Sequence, residues 1–372
     1  MQMRAYVLIV WGWICRERFL VALLFLFPIL WLLSATPIQN IPALVHWHTI
    51  AALSGLVVLS AAVQWSGVVV YLSHQLLRKI QNERLLAAVL CFISAALAAV
   101  ITNDVALFLT IPLTLTLARI ATLPVLRLVV FQALAVNAGS ALSPIGNPQN
   151  IFLWQISELS LLDFALAMLP MAIPFVVVLS IAVLIAFKSR PLELSELAQK
   201  PCRIDSKLFW PTLALYPVFL YALDYGKGWI ASLILIIVYG FWQKRRLFEI
   251  DWALLLLFVM MFVNIGLLVE FSLIHTFAEL LLQLPGAELS AGTLLSQLIS
   301  NVPAAIFLEP FCADWKRLAW GVNIGGFGLA LGSLANLIAL RLARQPGLFV
   351  QFHCWSIPCL IFTFLLSVLL LN

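Results

Sequence analysis

Val136-Asn137-Ala138-Gly139-Ser140-Ala141-Leu142-Ser143-Pro144-Ile145-Gly146-Asn147-Pro148-Gln149-Asn150 lies between apolar runs of membrane-helix character, yet it holds two prolines, two glycines and three asparagines. Proline has no N–H to donate and its ring disrupts the preceding turn, so a helix carrying this stretch should unwind near Ser143 to Pro148. Irregular backbone at membrane depth persists only where it is buried in protein or lines a wet cavity. The stretch is therefore a candidate binding site.

It has a counterpart. Val322-Asn323-Ile324-Gly325-Gly326-Phe327-Gly328-Leu329-Ala330-Leu331-Gly332-Ser333-Leu334-Ala335-Asn336 aligns with it without a gap. Val136, Asn137, Gly139, Gly146 and Asn150 match Val322, Asn323, Gly325, Gly332 and Asn336, at a constant offset of 186 (323 − 137 and 336 − 150). Two interrupted helices at corresponding places in two halves point to a transporter's binding site. A pair of glycine-rich packing seams is the competing reading.

Working outward, composition sets the class. The chain has 372 residues, 64% hydrophobic and 10% charged, with a mean hydropathy of +1.09. So little charge does not cover a soluble surface of this size. At roughly 20 residues per span there is room for about ten crossings. The fold class is an all-α polytopic membrane protein. The net charge of +5 reflects short basic clusters between apolar runs, as membrane topology requires, and not a nucleic-acid surface. Cys15, Cys91, Cys202, Cys312, Cys354 and Cys359 are scattered without a C-x-x-C, and read as free thiols.

The chain divides into four stretches. Residues 1–45 hold a first span and an outer loop, with Arg16 and Arg18 placing the N-terminus in the cytoplasm. His46-Trp47-His48 follows and reads as an interfacial aromatic belt, with metal ligation as the lesser alternative. Residues 46–187 form a first repeat, containing a hairpin at 85–118 and the broken helix at 128–154. Residues 188–249 are a basic cytoplasmic linker, including Lys200, with two connecting spans. Residues 250–372 form a second repeat, with a hairpin at 289–308, a broken helix at 318–343 and a C-terminus outside.

Basic residues sit at both ends of the first hairpin, so 85–118 enters and leaves by the same side, with Thr102-Asn103-Asp104 at its tip. Two full spans joined by an outside turn at Thr102 are the alternative. The second hairpin is tipped by Ser300-Asn301-Val302-Pro303, where Asn301 corresponds to Asn103. The halves take opposite orientations, an inverted repeat with two re-entrant helical hairpins and two broken transmembrane helices. Many secondary transporters use this device for alternating access.

The candidate site residues are Thr102, Asn103, Asp104, Ser143, Pro144, Gly146, Asn147, Pro148, Asn150, Ser300, Asn301, Pro303, Gly332, Ser333 and Asn336. Half-helix N-termini at Asn147–Gln149 and Leu334–Asn336 would aim partial positive charge at an anion. Carbonyls released at Ser143, Pro144, Ala330 and Leu331 suit sodium, with sites at Asn103 and Asn301. An aspartate at a membrane-deep tip is costly and functional by default, so Asp104 would carry a proton or hold sodium. Glu270 is a less specific candidate near the outer interface. No phosphate loop points to ATP, and no side chain falls in a recognisable catalytic setting.

Ser143-Pro144-Ile145-Gly146-Asn147-Pro148-Gln149-Asn150, Ser300-Asn301-Val302-Pro303 and Gly332-Ser333-Leu334-Ala335-Asn336 resemble signature segments of the ion transporter superfamily. That group holds arsenite permeases, citrate transporters and divalent-anion/sodium symporters, and within it the likeness is greatest to YbiR-type inner-membrane proteins. The resemblance implies an ion-coupled secondary transporter of a small anion, with an elevator-like mechanism, a homodimer and a bacterial inner membrane. It implies no cofactor beyond a coupling sodium ion or proton. The dicarboxylate symporters carry Ser-Asn-Thr at each tip; here Asp104 and Val302 replace the third residue. An ionised Asp104 would repel a dicarboxylate. A sodium/proton antiporter and an arsenite-type oxyacid exporter are the alternatives.

Overall fold

The computed structural model describes residues 18–34, 36–100, 102–193, 203–250 and 252–371. Arg16, Lys200 and Asn372, which carry part of the orientation argument, lie outside the described residues, as do Cys15 and Cys202. Regular structure among the described residues is helical, apart from one isolated bridge between Asn82 and Pro191. Helix is what an apolar solvent demands, because it satisfies backbone N–H and C=O groups within one segment.

The helices run in order α1 (Arg18–Ser34), α2 (Trp47–Trp65), α3 (Val68–Lys79), α4 (Glu83–Val100), α5 (Asn103–Ile120), α6 (Val125–Ser140), α7 (Pro148–Ser157) and α8 (Leu161–Ala186). They continue with α9 (Ser206–Asp224), α10 (Gly228–Trp242), α11 (Ala253–Val269), α12 (Ser272–Leu282), α13 (Glu288–Ile299), α14 (Asn301–Leu308), α15 (Trp315–Gly325), α16 (Leu334–Ala343) and α17 (Leu348–Leu371). A 3-10 helix, Ile38–Leu44, occupies the loop after α1.

By length and composition, five of these can each cross a membrane alone: α2, α4, α5, α8 and α17. The pair α11 and α12 makes a sixth only if counted as one span, bent by 92°. The bend falls at Glu270-Phe271. The remaining apolar helices, among them α6 and α16, are shorter. α6 is cut off by the Ser143–Pro148 stretch, and α16 begins only after the Gly325–Gly332 stretch has unwound.

The described chain separates into two compact units. One comprises residues 1–58 and 216–278. Here α1 packs along α11, and Leu30, Val45, Val263 and Leu267 form the buried cluster. The Asn264 Nδ2 donates to the carbonyls of Met260 (2.7 Å) and Leu23 (3.1 Å), tying the two helices, while its Oδ1 is buried with no partner among the described residues. Glu270 accepts from the Thr36 hydroxyl at 2.9 Å. His46 lies 4.9 Å from the Phe262 ring, which fits an aromatic packing role.

The other unit comprises residues 59–215 and 279–372. It contains two arrangements with the same plan. α4 and α5 are joined by a short turn, and α4 packs on α6, whose continuation after a break is α7. α13 and α14 are joined by a single residue, and α13 packs on α15, whose continuation after a break is α16. The second arms cross: α5 packs on α16, and α14 packs on α7. Each hairpin therefore touches the broken helix of both halves.

Candidate functional site

The first break runs from Ala141 to Asn147. The turn is tight enough that a Cβ on Gly146 would lie 2.2 Å from the Ser140 carbonyl oxygen. At the equivalent Gly332, a Cβ would meet the Gly325 carbonyl at 2.5 Å. Both positions need glycine because backbone approaches backbone. Asn147 then caps α7, its side chain accepting from the Asn150 N–H at 2.8 Å, with Pro148 at the first helical position where its missing N–H costs nothing. α16 restarts after Ser333, which has the same extended backbone as Asn147.

The asparagines of the two breaks bind each other across the halves. Asn137 Nδ2 donates to Asn336 Oδ1 at 2.8 Å, and Asn323 Nδ2 donates to Asn150 Oδ1 at 2.7 Å. These contacts interchange under the 186-residue offset. So do the next two: Asn137 Oδ1 accepts from Ser333 Oγ at 3.1 Å, and Asn323 Oδ1 accepts from Asn147 Nδ2 at 2.9 Å. Finally, Asn150 Nδ2 donates to the Ser140 and Ser143 carbonyls, and Asn336 Nδ2 to the Gly326 and Leu329 carbonyls. Asn137, Asn147, Asn150, Asn323, Ser333 and Asn336 are all buried. Buried amides in a low-dielectric interior must be paired, and here they pair with one another and with the backbone that the breaks release.

The Ser143 carbonyl, released from helical bonding by the break, accepts from the Gly146 N–H (3.1 Å) and from Asn150 Nδ2 (3.0 Å). A tight turn brings its own donors to that oxygen. Pro144 lies in the same turn.

The hairpin tips differ. Asn103 N–H donates to the Gly146 carbonyl at 2.7 Å, anchoring the first tip to the first break. The Asn103 side-chain oxygen accepts from the Asp104 N–H at 2.8 Å. Thr102 Oγ1 and Asp104 Oδ2 are buried with no hydrogen-bond partner among the described residues. At the second tip, Asn301 Oδ1 accepts from the Val302 N–H at 3.0 Å, while Asn301 Nδ2 is buried without a partner. Pro303 sits in the first turn of α14, where its lack of an N–H is tolerated. Gln149 Oε1, at the start of α7, is also unpartnered. Leaving such a group unpaired costs about 1–3 kcal/mol.

Ser300 is a further mark of this tip. Its backbone, φ 76° and ψ 157°, lies in a region nearly reserved for glycine. Such strain costs about 1–3 kcal/mol and concentrates at binding and switch positions.

Sequence reasoning missed two glutamines. Gln297 on α13 donates to the Thr293 and Gly325 carbonyls and accepts from the Leu329 N–H at 2.6 Å, binding the second hairpin to the second break. Gln132 on α6 accepts from Thr114 Oγ1 at 2.7 Å. The available signal was an amide inside an apolar run, which in lipid must have a partner. Among the described residues, no group of three or more His, Cys, Asp or Glu side chains is placed to hold a metal, and Cys91, Cys312, Cys354 and Cys359 are free thiols.

Comparison with known proteins bears on this geometry. Residues 6–320 match the family model described as "Citrate transporter". The chain belongs to the citrate transporter family. It is 41% identical over 332 residues to the inner membrane protein YbiR of Escherichia coli, covering 89% of each chain. It is 33% identical over 306 residues to an uncharacterized transporter of Methanocaldococcus jannaschii, covering 81% of this chain and 82% of that one. A shorter similarity, 25% over 150 residues, links it to the putative transporter arsB of Dictyostelium discoideum, covering 40% of this chain and 27% of that protein. The protein is thus a membrane transporter and not an enzyme.

Proposed function

We propose that this transporter is an ion-coupled secondary transporter that moves a small anion by elevator-like alternating access. The observation that carries the reading is the exchange of bonds between Asn137–Asn336 and Asn323–Asn150, which interchange under the 186-residue offset. Two breaks held against each other in this way bring two helix N-termini, Pro148 and Leu334, into one assembly. Each presents partial positive charge, the field an anion needs. On this reading the halves form an inverted repeat, and α4–α5 and α13–α14 are re-entrant hairpins. The family name suggests a carboxylate such as citrate as the first anion to try.

The solute site takes in Thr102, Asn103, Asp104, Gln149, Ser300 and Asn301, with sodium at Asn103 and Asn301 or a proton on Asp104. Ser143, Pro144, Gly146, Asn147, Pro148, Asn150, Gly332, Ser333 and Asn336 complete it by shaping the backbone. The protein works as a homodimer in a bacterial inner membrane, with its N-terminus cytoplasmic and its C-terminus outside. The deciding experiment reconstitutes the full chain on a solid-supported membrane and records currents for a panel of small anions in sodium and pH gradients. Currents that require both one anion and one cation gradient are expected.

Asp104 favours a second reading, sodium/proton antiport. Its carboxylate has a buried oxygen without a partner, and Val302 at the other tip is apolar. Sodium-dependent currents with no anion present would establish this reading against the first. An exporter of an arsenite-type oxyacid would instead respond to that neutral solute in the same panel.

A further inference from the structure

A second feature of the hairpin unit is lined by no tip residue and, of the breaks, only by Leu142. α4, α6 and α8 enclose an apolar cavity of about 480 Å3, open on one side. Ala95 and Ala96 leave it unfilled, Gly139 lets α6 approach the Ala95 backbone, Val176 and Leu184 wall it on α8, and Arg84 stands in its lining. Ala96, Val176 and Leu184 are exposed, so the cavity opens to the surroundings of a membrane helix.

The charge around Arg84 is organised. Its Nε donates to the Phe187 carbonyl at 2.8 Å, and Arg127 Nη1 donates to the adjoining Ala186 carbonyl. These carbonyls end α8, the negative pole of that helix, which favours cations. Arg127 is held further over the Phe187 ring, 5.9 Å from its centre. Glu83, the neighbouring acid, is engaged by Arg190 at 2.6 Å. Arg84, in the cavity lining, and Arg127 are therefore both fixed by the neutral carbonyls that end α8, each with further N–H donors beyond those contacts.

We infer that this cavity binds an anionic glycerophospholipid, with an acyl chain between α4, α6 and α8 and the headgroup phosphate on Arg84. Basic pockets between membrane helices take anionic headgroups, and planar guanidinium donors match phosphate oxygens. The apolar walls reject a polar solute, which separates this site from the transport site. The inference depends on the chain being embedded in a membrane and is independent of the transported anion.

The test is native mass spectrometry of the full chain in detergent, titrated with phosphatidylglycerol, with phosphatidylcholine of the same acyl chains, and with glycerol 3-phosphate. Retention of phosphatidylglycerol alone is expected. Removing one surface guanidinium in Arg84→Gln should weaken it about fivefold. Ala96→Phe, which fills the cavity, should remove the adduct. Val176→Trp serves as a second filling variant if melting shows that Ala96→Phe does not fold. Equal retention of phosphatidylcholine overturns the headgroup role. Binding of glycerol 3-phosphate as tight as the lipid, or phosphatidylglycerol retained unchanged by the filling variant, overturns the acyl-chain role.

Discussion

The breaks and the hairpin tips are both buried and both rich in asparagine, but they use it in opposite ways. At the breaks, Asn137, Asn150, Asn323 and Asn336 donate to one another or to released carbonyls. At the tips, Thr102 Oγ1, Asp104 Oδ2 and Asn301 Nδ2 have no partner among the described residues. A satisfied network rigidifies, whereas an unsatisfied group in the same dielectric carries a cost that a partner would remove. In the proposed function the breaks serve as frame and the tips meet the solute, although the residue type is the same.

The largest effect should come from backbone crowding at the breaks. Gly146→Ala puts a methyl 2.2 Å from the Ser140 carbonyl, so the turn must reopen. Loss of monodisperse protein in size-exclusion chromatography is expected, with Gly332→Ala nearly as severe; a normal profile for Gly146→Ala would show that the turn is looser than its geometry.

Asn323→Ala should follow, since it strips partners from Asn147 and Asn150 together. A stability loss of about 1–3 kcal/mol is expected, read as a lower melting temperature before any solute is added. A double-mutant cycle with Asn150→Ala should show coupling, because the two amides share one bond. Strict additivity would dissolve the clasp.

Asp104→Asn comes next and acts on coupling. It keeps an oxygen and removes the titratable charge. On proton coupling, the variant loses gradient-driven accumulation and retains exchange between equal solutions. Wild-type uptake that follows sodium and ignores pH would remove that assignment and place Asp104 with the cation.

The smallest effect is expected at Ser300. Glycine adopts its φ of 76° without a Cβ penalty, so Ser300→Gly should hold or raise the melting temperature by up to about 1 kcal/mol equivalent while altering transport. A clear fall in stability would mean that the Ser300 hydroxyl matters more than its backbone.

Much of this contrast was legible in the sequence in part only. Pro144, Gly146 and Pro148 announce a break because each has a local steric consequence, and the 186-residue offset pairs it with Gly332 and Asn336. The runs at 85–118 and 289–308 fold as α4–α5 and α13–α14 with ends shifted by a few residues. What sequence spacing did not carry was partner choice. Asn150 stands at a break in the sequence, but nothing near it names its partner, Asn323, far away in the chain. Gln297 reads as one polar residue in a helix, and only the packing of α13 on α15 brings it to Gly325. The strain at Ser300 has no compositional mark, because serine is no signal of positive φ.

The most direct test sets Asn336→Ala beside Asn301→Ala in the same liposomes, measuring melting temperature without solute and the rise in melting temperature caused by the anion and cation that give current in the wild type. Asn336→Ala should melt lower and keep its solute-induced rise; Asn301→Ala should melt near the wild type and lose that rise. The reverse pattern, with Asn301→Ala unstable and still responsive while Asn336→Ala is stable and unresponsive, would contradict the division of the site into frame and solute contacts.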